Sequence, residues 1–256
     1  MQWLPAALLI AVTALPAQAL EIRPVRVSVP ADAAQADLWL GNPGSTAWRG
    51  QARLYRWEQA GDQERLLPAD DVAVSPTHLA VAPGGGQRVR VVRLGTAPAA
   101  VEQGYRLVLS PGPEAAAGAA RYSLPVFLEP SIPATGSRLR VAPAGSPAAP
   151  VLRLYNEGAA HAHLADLVYV DARGRRQPLI DGLAGYVLPH STRSWALPPR
   201  PDGYANGRFL ARLDHAAEAI LAAPPARLRR GPGPGYNRPD LLPHRSREHV
   251  NTGRHR

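Results

Sequence analysis

The chain has 256 residues, 45% apolar and 19% charged, which supplies a packed core and argues against wholesale disorder. It has no cysteine, and all 29 of its basic residues are arginine, so disulfide frameworks, thiolate metal sites, a Walker phosphate loop and lysine Schiff-base chemistry are excluded. With 28 prolines and 23 glycines long helices have little room, and short strands between turns are expected: an all-β protein.

Leu4 to Leu15 is an apolar run broken only by Pro5 and Thr13, and Ala17-Gln18-Ala19 follows it as a small-residue cleavage pattern. Such a stretch is too short to span a bilayer and reads as a signal peptide, residues 1–19, although Met1-Gln2-Trp3 brings no basic side chain. No stable membrane insertion is expected elsewhere. From Leu20 the apolar residues alternate, as in Val25, Val27, Val29, then Leu38, Leu40, then Ala52, Leu54. Gly41-Asn42-Pro43-Gly44 and Pro83-Gly84-Gly85-Gly86 are turns, and Arg88 to Val92, Tyr105 to Leu109 and Tyr122 to Leu128 are further strands. About seven strands in such a length is the spacing of an immunoglobulin-like sandwich, placed at residues 20–130.

Pro130 to Gly136 reads as a linker. Strands resume at Leu139–Val141, Val151–Tyr155, Leu164–Val170, Gln177–Ile180, Ser194–Leu197 and Arg208–Leu213, giving a second, smaller sandwich at residues 131–225. Only Ala-rich His215–Ala223 competes as a helix, and Pro224 and Pro225 end it after barely two turns. Residues 226–256 turn to Arg, Pro, Gly and His, a composition expected to be disordered. Eight arginines there face only Asp240 and Glu248, so this tail holds +6 of the net +9. No aromatic-and-basic module accompanies the charge, and nucleic acid is not expected as a partner.

The sequence has no G-x-S-x-G elbow, H-E-x-x-H helix, EF-hand loop or G-x-G-x-x-G fingerprint. His161-x-His163 sets two imidazoles on one strand face without a third ligand in recognisable spacing, so both are expected as solvated surface histidines. No catalytic residue, metal or cofactor is expected, and the protein is not expected to be an enzyme.

Several segments resemble the periplasmic chaperones of chaperone-usher pilus assembly, and most closely their archaic, spore-coat-like branch. They are Val74-Ser75-Pro76 with Ala82-Pro83-Gly84 and Gln87 to Val91; Tyr105-Arg106-Leu107; Leu124-Pro125-Val126-Phe127 with Pro130; Leu154 to Gly158; and Leu183 to Pro189. The resemblance runs from about Leu20 to Ala222. It implies two immunoglobulin-like domains set at an angle and a non-enzymatic periplasmic function. Such a chaperone lends an edge strand to pilin subunits that lack their last strand, then delivers them to an outer-membrane usher. Two alternatives stay open: an exported structural or adhesive sandwich protein, and a degenerate paralogue without donor activity.

By position, the resemblance sets the donor strand in Ala115–Leu128, with Ala116, Gly118, Ala120, Tyr122, Leu124 and Val126 as its alternating frame. The family has large apolar residues where this chain has Ala115 to Ala120, so capture would lean on backbone hydrogen bonds and on Tyr122, Leu124 and Val126; a plain loop is the other reading of the Ala-rich stretch. The resemblance also implies basic residues that hold the subunit's C-terminal carboxylate. Arg26 matches the first, Pro125 falls at the second, and Arg121 is the substitute candidate on the same strand face. Glu129 lies where a charge pair would set the angle between domains.

Overall fold

The computed structural model describes residues 19–98, 100–115 and 119–221, so the signal segment up to residue 18 and the basic tail lie outside the described residues. Pro24 interrupts the first apolar alternation, because its ring leaves no N–H for a ladder. The chain therefore divides into β1 (Glu21–Arg23) and β2 (Val27–Val29), which join different sheets. Then follow β3 (Gln35–Gly41), β4 (Trp48–Ala60), β5 (Gln63–Pro68), β6 (Val72–Ser75), β7 (His78–Val81), β8 (Gly86–Arg93), β9 (Gln103–Pro111) and β10 (Tyr122–Leu128). One sheet has the order β1-β3-β8-β6; the facing sheet runs β2-β10-β9-β4-β5, with β7 also paired to β4. Leu38 and Leu40, Val89 and Val91, and Leu107 and Leu109 point between the sheets and are buried, as the period-2 pattern requires. Each such side chain contributes about 1.5–3 kcal/mol of burial.

The second sandwich comprises β11 (Leu139–Ser146), β12 (Ala149–Asn156), β13 (Ala162–Val170), β14 (Arg176–Val187), β15 (Thr192–Ala196), β16 (Arg208–Leu213) and β17 (Glu218–Ile220). Its sheets are β11-β12-β15 and β14-β13-β16-β17, closed over Leu152, Leu154, Leu164, Leu167, Tyr169 and Phe209. His215–Ala223 forms no helix in its described part: Asp214 and His215 make a turn and β17 follows. β5 escapes the alternation rule because all six of its residues are exposed. β4 and β5 form a hairpin closed by Gly61 and Asp62, both at positive φ (59° and 63°), the two-residue turn whose twist suits a hairpin.

One polar device occurs in both sandwiches. Asn42 donates from Nδ2 to the carbonyls of Thr46 and Val81 (2.8 and 3.0 Å) and accepts from the amide of Gly44 (3.1 Å). Asn156 donates to the carbonyls of Ala160 and Val187 (2.8 and 3.0 Å) and accepts from the amide of Gly158 (2.9 Å). Each asparagine pins a turn and ties it to a buried carbonyl of another strand, satisfying groups that would otherwise be costly to bury.

Candidate functional site

The strand β10 is paired with β9 along its whole length, Tyr122 opposite Leu109 through Leu128 opposite Gln103. Its other edge is covered by β2 only at Val126–Leu128, in parallel register with Val27–Val29. Among the described residues nothing pairs with the Tyr122–Pro125 part of that edge, which leaves backbone groups open to a further strand. Leu124 and Val126 bury their side chains in this protein's own first core, and Tyr122 packs against it while its hydroxyl accepts from the amide of Leu20 (2.7 Å). These three residues of the expected frame thus offer a partner main chain rather than side chains. Ala120 and Arg121 precede the strand, Ala120 half-buried and Arg121 exposed, while Ala116 and Gly118 lie outside the described residues.

Extending the β2–β10 register back one step places Arg26 beside Pro125. Arg26 is half-buried and makes no hydrogen bond or ion pair among the described residues. It stands close enough to Tyr186 and His163 for its charge to act on both. Burial raises the Tyr186 hydroxyl's pKa above the ordinary value, opposed by Arg26 and Arg106, so it stays protonated and able to donate. Arg106 lies over the Trp57 ring at 3.7 Å, and burial lowers its pKa. No hydrogen bond or ion pair joins Arg121 to Arg26 among the described residues; Arg121 precedes β10, four residues before Pro125, at an exposed position.

The seam between the sandwiches is built from residues that the sequence did not single out. Trp57, Phe127, Tyr186 and Leu188 form a buried cluster. Gln59 donates to the Tyr186 carbonyl and accepts from the Leu188 amide, both at 2.9 Å, so one side chain satisfies a strand end of the other sandwich. At the β4–β5 tip Asp62 accepts from Arg153 and Ser194, each at 2.9 Å, and Glu64 pairs with Arg193 at 2.7 Å. A Cβ at Gly104 would come within 3.0 Å of Leu188, so this glycine permits the close approach.

Both histidines depart from the expected solvated state. His161 stacks on Phe127 with ring centroids 3.6 Å apart, and its backbone amide and Nδ1 lie 3.0 and 2.7 Å from one oxygen of Glu102. His163 is 9% exposed, edge-on to Tyr186 at 5.0 Å. A strand pattern assigns a residue to a face; His161 is covered there by Phe127 of the other sandwich, and His163 packs against Tyr186 and His215 of its own. The expected charge at Glu129 is likewise displaced. Its side chain forms no ion pair among the described residues, its carbonyl accepts from the buried Arg93 (3.1 Å), and the carboxylates that cross the seam are Asp62, Glu64 and Glu102. Of the buried cluster, Phe127 carried a sequence signal inside Leu124–Phe127, and Tyr186 and Leu188 inside Leu183–Pro189, whereas Trp57 carried none.

Two sandwiches joined by such a seam, with an unpaired strand edge and an unpaired guanidinium beside it, define a binding protein of the immunoglobulin-like class. Among the described residues no group of three or more His, Asp or Glu is placed to hold a metal. Residues 19–133 match the N-terminal domain of pili and flagellar-assembly chaperones. Solved structures agree in fold. A chain of the CsuC–CsuE chaperone–tip adhesion subunit pre-assembly complex from archaic chaperone-usher Csu pili of Acinetobacter baumannii is 20% identical with a TM-score of 0.64, covering 79% of this chain and 97% of that one. The CupB2 chaperone of Pseudomonas aeruginosa is 21% identical (TM-score 0.52; 78% and 97% covered). A chain of the Salmonella enterica SafA pilin–SafB chaperone complex is 18% identical (TM-score 0.56; 80% and 95% covered). No curated protein sequence matches the chain significantly.

Proposed function

We propose that this protein is a periplasmic chaperone for pilin subunits, which it captures by lending a strand and delivers to an outer-membrane usher. The observation that carries the reading is the half-covered edge of β10 with Arg26 beside it. A subunit lacking one strand exposes a hydrophobic groove and an unpaired sheet edge, both aggregation-prone. The Tyr122–Pro125 edge supplies complementary donors and acceptors, worth about 1 kcal/mol net per hydrogen bond, and the Ala115–Arg121 stretch would extend it. Arg26 holds the terminal carboxylate through a planar fork that suits it. Arg121 stands upstream as a further candidate contact for that terminus.

The test is coexpression with a donor-strand-deficient pilin of the same pilus system in a bacterial periplasm, followed by copurification. Soluble pilin should be recovered with the wild-type chain, and Arg26→Ala should lower recovery at least about tenfold while leaving the melting temperature unchanged, since losing a charge-assisted bond costs about 1.5–3 kcal/mol. Insoluble pilin beside folded chaperone would overturn the assignment. Recovery unchanged in Arg26→Ala would remove the anchor role alone.

A further inference from the structure

The seam gathers proton donors around Arg26 without an acceptor to meet them. His163 has a buried Nδ1 with no hydrogen-bond partner, and its ring stacks on that of His215 at 4.7 Å. His215 is exposed in the turn between β16 and β17, at positive φ (65°) next to Asp214, also at positive φ (49°). The nearest carboxylate is already used: Asp214 accepts from the His163 amide (2.9 Å) with one oxygen and from the Ser137 hydroxyl (3.3 Å) with the other. Across the ladder from Arg26 stands Pro125, which brings no donor of its own. A ligand that satisfied this cluster would be a small anion, reached by a guanidinium from one side and by imidazole and phenol from the other.

We infer that His163 and His215 of the second sandwich complete, with Arg26 and the Tyr186 hydroxyl, a binding site for a peptide's terminal carboxylate, so that the anion is held more tightly as the pH falls. The inference rests on the capture reading above and assigns its second half. The groups facing the histidine pair are Arg26 from β2, His161 at the entry to β13, Tyr186 from β14 and Asp214 from the turn. Arg106 faces Tyr186 from β9, and Arg193 donates to the Tyr186 carbonyl from β15 (3.3 Å). In the free protein burial, His215 and Arg26 all hold His163 below its ordinary pKa, so it is neutral at neutral pH. A bound carboxylate reverses that balance by offering a charge for both imidazolium ions, and proton uptake then accompanies binding.

The test follows the histidine ring resonances of the full chain from pH 8 to 5 with N-acetylglycinate or its amide, N-acetylglycinamide. The carboxylate should raise the apparent pKa of His163 and bind about threefold to tenfold tighter at pH 5.5 than at pH 8. The amide should do neither. Arg26→Ala should abolish the shift, His163→Phe should flatten the pH dependence while keeping the ring packing, and His161→Gln should leave it intact. Identical titrations with carboxylate and amide would overturn the site, and so would a pH dependence that survives in the double variant His163→Phe, His215→Ala. Should a pilin copurify through Arg26 while the histidines ignore the carboxylate, this inference falls and the chaperone reading stands. Should the histidines respond while no pilin is captured at any pH, the anion site stands and the chaperone reading falls.

Discussion

The two sandwiches use the same asparagine device at the same place in the fold and then diverge at the seam. Asn42 just follows β3 and Asn156 ends β12; each accepts from a glycine amide two residues on and donates to a carbonyl four residues on and to one from a distant strand. What differs is what each sandwich presents to the other. The first contributes the cations Arg26 and Arg106, a strand edge left partly open, and the carboxylates Asp62, Glu64 and Glu102, which the second meets with Arg153, Arg193 and His161. The second contributes Tyr186, His161 and His163, rings whose charge or hydrogen-bonding state can change. Internal architecture repeats because packing demands it; the facing surfaces carry different side chains, and the first leaves part of the β10 edge uncovered among the described residues.

The largest effects should come from breaking what the two share. Asn42→Ala and Asn156→Ala each orphan a buried carbonyl and a turn amide, and each should cost about 2–4 kcal/mol in urea unfolding. Equal losses would show that the device does the same structural work twice. A loss confined to one variant would show that the local turn, rather than the shared pattern, sets its value.

Next in size is the seam. Gln59→Ala leaves the Tyr186 carbonyl and the Leu188 amide without their partner, and should cost about 1–2 kcal/mol. Hydrogen exchange at Leu188 should accelerate while amides in the cores of both sandwiches keep their protection. Equal acceleration throughout would mean that the sandwiches unfold as one unit and that the seam has no separate opening.

Most strands were legible from period-2 alternation because each sandwich buries one face of every sheet, as at Leu38 and Leu40 or Val89 and Val91. The failures share a cause. β5 has no buried face and thus no alternation to read. Leu124 and Val126 carry the alternation expected of a lent strand's frame, and the same alternation marks a strand of the protein's own core, where both are buried. His161 is made interior by Phe127 and Glu102 of the other sandwich, and His163 packs against Tyr186 and His215, contacts that strand alternation does not encode. Arg26 was visible through its position after Pro24, whereas Gln59, Glu102 and Trp57 carry no local signal because their partners are scores of residues away.

The smallest effect is also the one that separates the two sides of the seam most sharply. In the free chain the His163 pKa lies below its ordinary value of 6.5, mainly through burial. As the pH falls through 6.5 the unfolded chain takes up its proton first, so His163 removes stability until the pH passes its lower folded value, and no further below that. His163→Phe deletes both the titration and the unpartnered Nδ1. The variant should therefore be at least as stable as wild type at pH 7.5 and should lose about a degree or two less in melting temperature on going to pH 5.5. With a carboxylate ligand present the sign for wild type should invert, because the protonated ring then gains a counter-charge in the folded state. Arg26 keeps its charge across this range and is one of the charges that hold the His163 pKa down, so Arg26→Ala should lessen the free protein's acid response slightly and abolish the ligand's inversion of it. A wild-type response that is the same with and without the carboxylate would place His163 in the packing of the seam alone.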